Sequence, residues 1–310
     1  MKAPALKHVT SGFEIAGLAR HSLESRRLIA AYLGDDTASP KDRDDAFSFT
    51  KDFYMRHRKG RRFGGVISPG DAIFLASVID NIRPDKIVEI GVASGYSSAF
   101  LLSAIAAFGG ACPDGRSSPR LISFDVGDHE DIGAFLLEAE PGLASSWKLF
   151  SGCTSFDLAD CLEELGQYVG KTIYFVDAAH WHPWPTLDVY HILQVARPQE
   201  WILLQDVALF ERKLVDALRR GKPARAGFRG VQLLYEHWQG EKFRGTGACY
   251  NMAAIRVPEE PERALSGLRA LAPYAYEKDF AAADAKSLRR PQALRALSTL
   301  GFRRPGVIEA

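Results

Sequence analysis

"KIVEIGVASGYSSAFLL", residues 86–102, decides the fold. It opens as a short apolar run, turns through a loop bounded by Gly91 and Gly95, and continues as an apolar helical stretch ending in glycines at 109–110. A strand that passes through a glycine turn into a helix is the opening unit of a parallel sheet, because parallel neighbours need a crossover connection. Gly91 and Gly95 permit a tight turn and close backbone approach. Their G-x-x-x-G spacing departs from the G-x-G-x-x-G of dinucleotide pyrophosphate binding.

Working outward, the same alternation repeats. "RLISFDV" (120–126), "WKLFSG" (147–152), "KTIYFVD" (171–177) and "EWILLQDV" (200–207) read as strands two to five, with helical segments between them. "VQLLYEHW" (231–238) and "YNMAAIRV" (250–257) read as a closing strand pair without an intervening helix, so one of them is expected to run antiparallel. Upstream, "SPGDAIFLASVIDNI" (68–82) is a helix with Ser68 as N-cap and Pro69 at its first position. The stretches 18–34 and 45–57 are amphipathic, and a basic run follows at 56–62. That run fits either a solvated loop or a lid that meets an anionic substrate. The predicted class is α/β, a doubly wound, mostly parallel seven-stranded sheet with an antiparallel closing strand. The core domain is placed at 67–258, between helical extensions at 1–66 (lid or dimer face) and 259–310.

The bulk numbers narrow the function. The chain has 310 residues, 46% hydrophobic and 25% charged, with a net charge of +1. So weak a charge gives no global field toward nucleic acid or a membrane surface. The four cysteines form no C-x-x-C pair, which speaks for a reducing compartment over a disulfide framework. No run approaches the ~20 apolar residues of a membrane span, and the N-terminus lacks the apolar centre of a signal peptide. The expectation is a cytoplasmic protein with a small-molecule partner, and a homodimer is open.

Ligands of open parallel sheets bind beyond the carboxyl ends of the strands. Those ends carry Glu89, Asp125, Gly152–Thr154, Asp177 and Asp206. Four acids on one rim suggest a site, since an unpaired buried carboxylate is costly. Asp125 closes the second strand, where an acid can accept hydrogen bonds from ribose hydroxyls. In "YFVDAAHWHPW" (174–184), Asp177, His180 and His182 gather behind the fourth strand. A histidine near neutrality suits proton transfer; two histidines and an acid can also ligate zinc; and either ring can simply satisfy a backbone group.

"IVEIGVASGYSSAFLL" resembles motif I of class I S-adenosylmethionine-dependent methyltransferases, with a Rossmann-like sheet. Its "GYS" is similar to the small-molecule O-methyltransferases of the catechol and caffeoyl-CoA type. "YFVDAAHWHPWPTLDVYHIL" resembles the F-I-D-G-D-H segment of bacterial relatives acting on sugars and natural products, and "WILLQDV" their fifth strand. The likeness spans roughly residues 64–257. It implies that Glu89, Gly91, Ser94, Gly95, Tyr96 and Ser97 surround the methionine end of S-adenosylmethionine, that Asp125 holds the ribose, and that Val126 lies near the adenine. Cys153 stands where the family often has an acid for the adenine amine, leaving Thr154 or a backbone group to substitute. Members that use Mg²⁺ take ligands after strands four and five, which here means Asp177 and Asp206; Ala179 and Val207 replace two other expected oxygen donors. His180, and His182 beside it, are the candidate proton acceptors for a hydroxyl substrate. The competing readings are a nicotinamide-dependent oxidoreductase on a similar sheet and a catalytically degenerate protein that only binds cofactor.

Overall fold

A computed structural model describes residues 45–57, 66–110, 119–165, 170–221, 228–276 and 290–303. The amphipathic stretch 18–34, most of the basic run and most of the 109–119 loop lie outside them. β1 (Lys86–Ile90), β2 (Leu121–Asp125), β3 (Trp147–Ser151), β4 (Thr172–Val176), β5 (Trp201–Gln205), β6 (Lys242–Arg244) and β7 (Met252–Arg256) form one sheet in the order β3-β2-β1-β4-β5-β7-β6. The first five strands are parallel, and β7 runs antiparallel to both β5 and β6. The order reverses between β1 and β4, so the carboxyl edge opens a crevice there. The doubly wound, Rossmann-like class read from the sequence is the one observed.

Strand alternation divides the core into two. One face of the sheet carries Ile87, Leu121, Ile173 and Trp201 under α1 (Asp45–Arg56), α2 (Pro69–Ile82) and α3 (Tyr96–Phe108). The other carries Val88, Ile122, Tyr174 and Ile202. These pack under α6 (Trp184–Ile192), α8 (Gly230–His237), α9 (Pro261–Arg269) and α10 (Pro291–Leu300). Shorter α4 (Ala134–Ala139) and α5 (Leu158–Glu164) bracket β3, and α7 (Leu209–Arg219) follows β5. α2 starts as its sequence dictates: Ser68 Oγ accepts the Asp71 N–H at 3.2 Å, and Pro69 occupies the first turn.

The helices flanking the sheet domain share its cores. Phe53 of α1 is fully buried and meets Tyr96 and Phe100 edge-on at 5.8 and 5.1 Å. Removing such a ring costs about 3–5 kcal/mol. Ala293, Ala296, Leu297 and Leu300 bury one face of α10. Arg290, at the N-cap of α10, pairs with Asp157 behind β3, donating to Oδ2 at 2.7 Å and making a second contact to Oδ1.

One strand assignment is corrected. "VQLLYEHW" is the helix α8, and the hairpin partner of β7 is the three-residue "KFR" of β6. Val231, Leu233 and Leu234 face the core while Gln232 donates to Glu236 one turn on, at 2.8 Å. That is helical spacing, which the apolar run disguised. The Trp238 indole donates to the carbonyl of Arg256, at the end of the sheet opposite the carboxyl edge. Among the described residues, no helix is long and apolar enough to cross a membrane.

Candidate active site

The loop after β1 is shaped by its neighbours. Gly91 has φ +96°, and a Cβ there would stand 2.1 Å from the carbonyl oxygen of Asp177. Gly95 has φ +82°, and its Cβ would stand 2.6 Å from the Cα of Gly133. Both positions demand glycine, for conformation and for space. Asp125 pins the same loop from β2. Its Oδ2 accepts the N–H groups of Val92 and Ala93, each at 2.9 Å, and its Oδ1 accepts the N–H of Gly127 at 2.8 Å. A carboxylate offers about four lone-pair positions. Three are used, so one acceptor position is left for a ligand.

Beside Asp125 lies a cavity of about 300 Å³, at the small end of the range for ligand pockets. Gly91, Asp125, Val126, Cys153, Thr154 and Asp177 line it, all six predicted from the sequence. Phe124, Trp184, Ser155 and Asp188 complete its far wall.

Five other predicted cofactor contacts, Glu89, Ser94, Gly95, Tyr96 and Ser97, stand outside that lining. Glu89 is wholly buried beneath the loop, where it accepts from Ser97 (2.7 Å) at one oxygen and from Ser98 (2.6 Å) and Ser123 (2.7 Å) at the other. Burial pushes its carboxyl up to about 7, against the pull of these three hydroxyls. Tyr96 is 1% exposed and stacks on Phe135 at 4.7 Å. The carbonyl of Ser94 accepts the Phe135 N–H at 2.9 Å. These residues, with Ser97, support the loop from below; none reaches the cavity wall.

At the β4 end, Asp177 belongs both to the cavity and to a second constellation. One ligand atom from each of Asp177, His180 and Asp206 falls within 4.8 Å of the others. His180 Nε2 lies 3.2 Å from Asp206 Oδ2, and Asn251 donates to Asp206 Oδ1 at 2.7 Å. Asp206 adopts φ +65°, a strained backbone for a non-glycine residue. Among the described residues, the carboxylate of Asp177 has no hydrogen-bonding partner. Burial, then the carboxylates of Asp206, Glu89 and Asp71, push it well above the usual range. Burial lowers His180, with Asp206 opposing, which keeps the imidazole neutral at physiological pH.

His182 does not join this group. It is fully buried, with Tyr274, Tyr276 and Phe302 around its ring at 6.4, 6.0 and 5.4 Å, and burial lowers it to about 4. Its proton-acceptor role and the zinc set of Asp177, His180 and His182 are both set aside. Two residues of the region escaped the sequence reading. Asp71 resembles an ordinary first-turn helix acid, yet it is 2% exposed and faces Asn251 and Asp206. Asp188 sits inside the apolar "TLDVYHI", and that mismatch was its one visible signal.

Residues 88–207 match the family model described as a methyltransferase domain. That stretch resembles a methyltransferase domain. The match runs from the third residue of β1 to the residue after Asp206, and so takes in the loop, the cavity and the acidic rim. No curated protein matches the chain. Solved structures with a similar arrangement include an O-methyltransferase from Bacillus cereus in complex with S-adenosylhomocysteine. It is 15% identical, covers 77% of this chain and 99% of its own, and has a TM-score of 0.43. The O-methyltransferase TomG from Streptomyces achromogenes, involved in tomaymycin synthesis, is 18% identical over 76% of this chain and 98% of its own, with a TM-score of 0.45. A methyltransferase from Geobacter sulfurreducens is 16% identical over 76% and 97%, with a TM-score of 0.41.

Proposed function

We propose that this protein moves the methyl group of S-adenosylmethionine to a hydroxyl oxygen of a small-molecule acceptor. The observation that carries the reading is Asp125: it clamps the glycine loop and still offers an acceptor position to the cavity. S-adenosylmethionine supplies a methyl group on a positively charged sulfur, ready for in-line displacement. The chain has to bind and orient both reactants and remove one proton. Asp125 takes a ribose hydroxyl. Gly91 lets the backbone approach the ligand without a side chain. Asp177, bare on the cavity wall, receives the ammonium of the methionine moiety.

His180 is the proton acceptor in this reading. Asp206 takes the Nε2–H, leaving Nδ1 as the basic nitrogen, and Asn251 holds Asp206 in place. The hydroxyl proton passes to Nδ1 as the oxygen attacks the methyl carbon. Such base catalysis contributes about 10²–10⁴-fold. A second reading rests on the convergence of Asp177, His180 and Asp206. Two carboxylates and an imidazole fit a divalent cation, with the nitrogen donor less suited to Mg²⁺ than to softer ions. A cation held there would polarise the acceptor oxygen as a Lewis acid.

Transfer of label from S-adenosyl-[methyl-³H]methionine to a panel of phenols, sugars and hydroxy acids tests the main reading. His180→Ala should lower turnover about 100-fold and leave S-adenosylhomocysteine affinity unchanged. Chelator-resistant turnover, with no thermal shift on adding Mg²⁺ or Mn²⁺, favours the imidazole over the cation. Absence of both transfer and S-adenosylhomocysteine binding would sink the proposal.

A further inference from the structure

We infer that Asp188, held by Ser155, reads the amino edge of the cofactor's adenine ring. The inference rests on the S-adenosylmethionine reading and extends it to a residue outside motif I. The cavity has two polar ends with Asp125 between them. Toward β4 stands Asp177; toward the segment behind β3 stand Thr154, Ser155 and Asp188. A ribose fixed at Asp125, with its methionine arm toward Asp177, sends the base to the Asp188 end. The walls there are Phe124, Val126 and Trp184, flat or apolar surfaces suited to a purine face.

Asp188 is 5% exposed and sits one turn after Trp184 on α6, so both side chains lie on the same helix face. Ser155, itself 1% exposed, donates to Asp188 Oδ1 at 2.6 Å. Oδ2 has no partner among the described residues. A buried carboxylate with an open oxygen is costly unless a ligand supplies a donor. Among the described residues no cation stands against it: burial pushes it up to about 7, with the Ser155 hydroxyl pulling the other way. The missing partner is therefore an N–H carried by the ligand. Adenine offers one in its 6-amino group, whereas hypoxanthine puts a carbonyl oxygen at the same position. Cys153, where the family resemblance expects an acid, has a thiol, a weak partner for an amine.

Calorimetry of the full chain at pH 8 with S-adenosylhomocysteine and S-inosylhomocysteine tests this. The unmodified protein should bind the adenine ligand about 10-fold or more tightly than the hypoxanthine one. Asp188→Asn, whose amide can donate or accept, should bring the two within about 3-fold, and Ser155→Ala should narrow the gap partway. Asp125→Ala should weaken both ligands equally. Equal affinities in the unmodified protein overturn the inference whatever the variants do, as does a preference that survives Asp188→Asn. Binding of neither ligand by the unmodified protein instead brings down the S-adenosylmethionine reading, and this one with it.

Discussion

Glu89 and Asp177 come from neighbouring strands on the same edge of one sheet, with Glu89 the fourth residue of β1 and Asp177 the first beyond β4. Both are acids in protein surroundings, and burial raises both. Their partners differ completely. Three serine hydroxyls hold both oxygens of Glu89, and Ser123 in turn accepts from the Trp147 indole at 2.9 Å. Asp177 has no such support and opens on the cavity. A buried acid held at both oxygens by the protein's own hydroxyls holds a fold together; a bare one at a cavity wall holds a place for a ligand. Sequence position alone ranks the two alike, and only the surroundings separate them.

The harshest way to probe this contrast is Gly91→Ala, which sets a Cβ against the backbone that carries Asp177. We expect a loss of about 3 kcal/mol or more in denaturant unfolding; a near-normal midpoint would mean that the loop is freer than drawn. Next comes Asp125→Ala, which frees three N–H groups and removes the acceptor proposed for the ribose. S-Adenosylhomocysteine should bind about 100-fold more weakly by calorimetry, with the fold retained by circular dichroism.

Glu89→Gln tests the serine-held member directly. Its carboxyl titrates higher in the folded chain than in the unfolded one, so its stabilising contribution is complete below pH 4.5 and fades as pH rises through about 7. The variant should be weaker than the unmodified protein by about 1–3 kcal/mol at pH 5, with the gap shrinking toward pH 8. A gap that stays flat across this window contradicts the assignment. The smallest effect belongs to His182→Phe, which keeps a ring among Tyr274, Tyr276 and Phe302. Turnover should stay within about two-fold, since no proton passes through this ring. Because His182 is lowered to about 4, its contribution is present above pH 6.5 and lost as pH falls toward 4. The variant should therefore gain relative stability in acid, and a loss there would be the contrary result.

The sheet was legible because each parallel strand is a short apolar run ending in an acid or a glycine turn, a local pattern. α8 was misread because Leu233, Leu234 and Tyr235 are consecutive and apolar, and only the burial of one side tells a helix from a strand. The rim acids Asp125, Asp177 and Asp206 were legible from the strand ends. The different fates of His180 and His182 were not, because the C-terminal segment that encloses His182 lies nearly a hundred residues further along the chain. Asp188 depends likewise on Ser155, which is distant in sequence.

The grip of Arg290 on Asp157 ties the C-terminal helix to the turn that carries Thr154 and Ser155. A shortened chain ending at Tyr276 would forfeit that clasp along with the apolar face of α10. Its earliest symptom should be poor retention of the nucleoside end of the ligand, felt well before the sheet itself gives way.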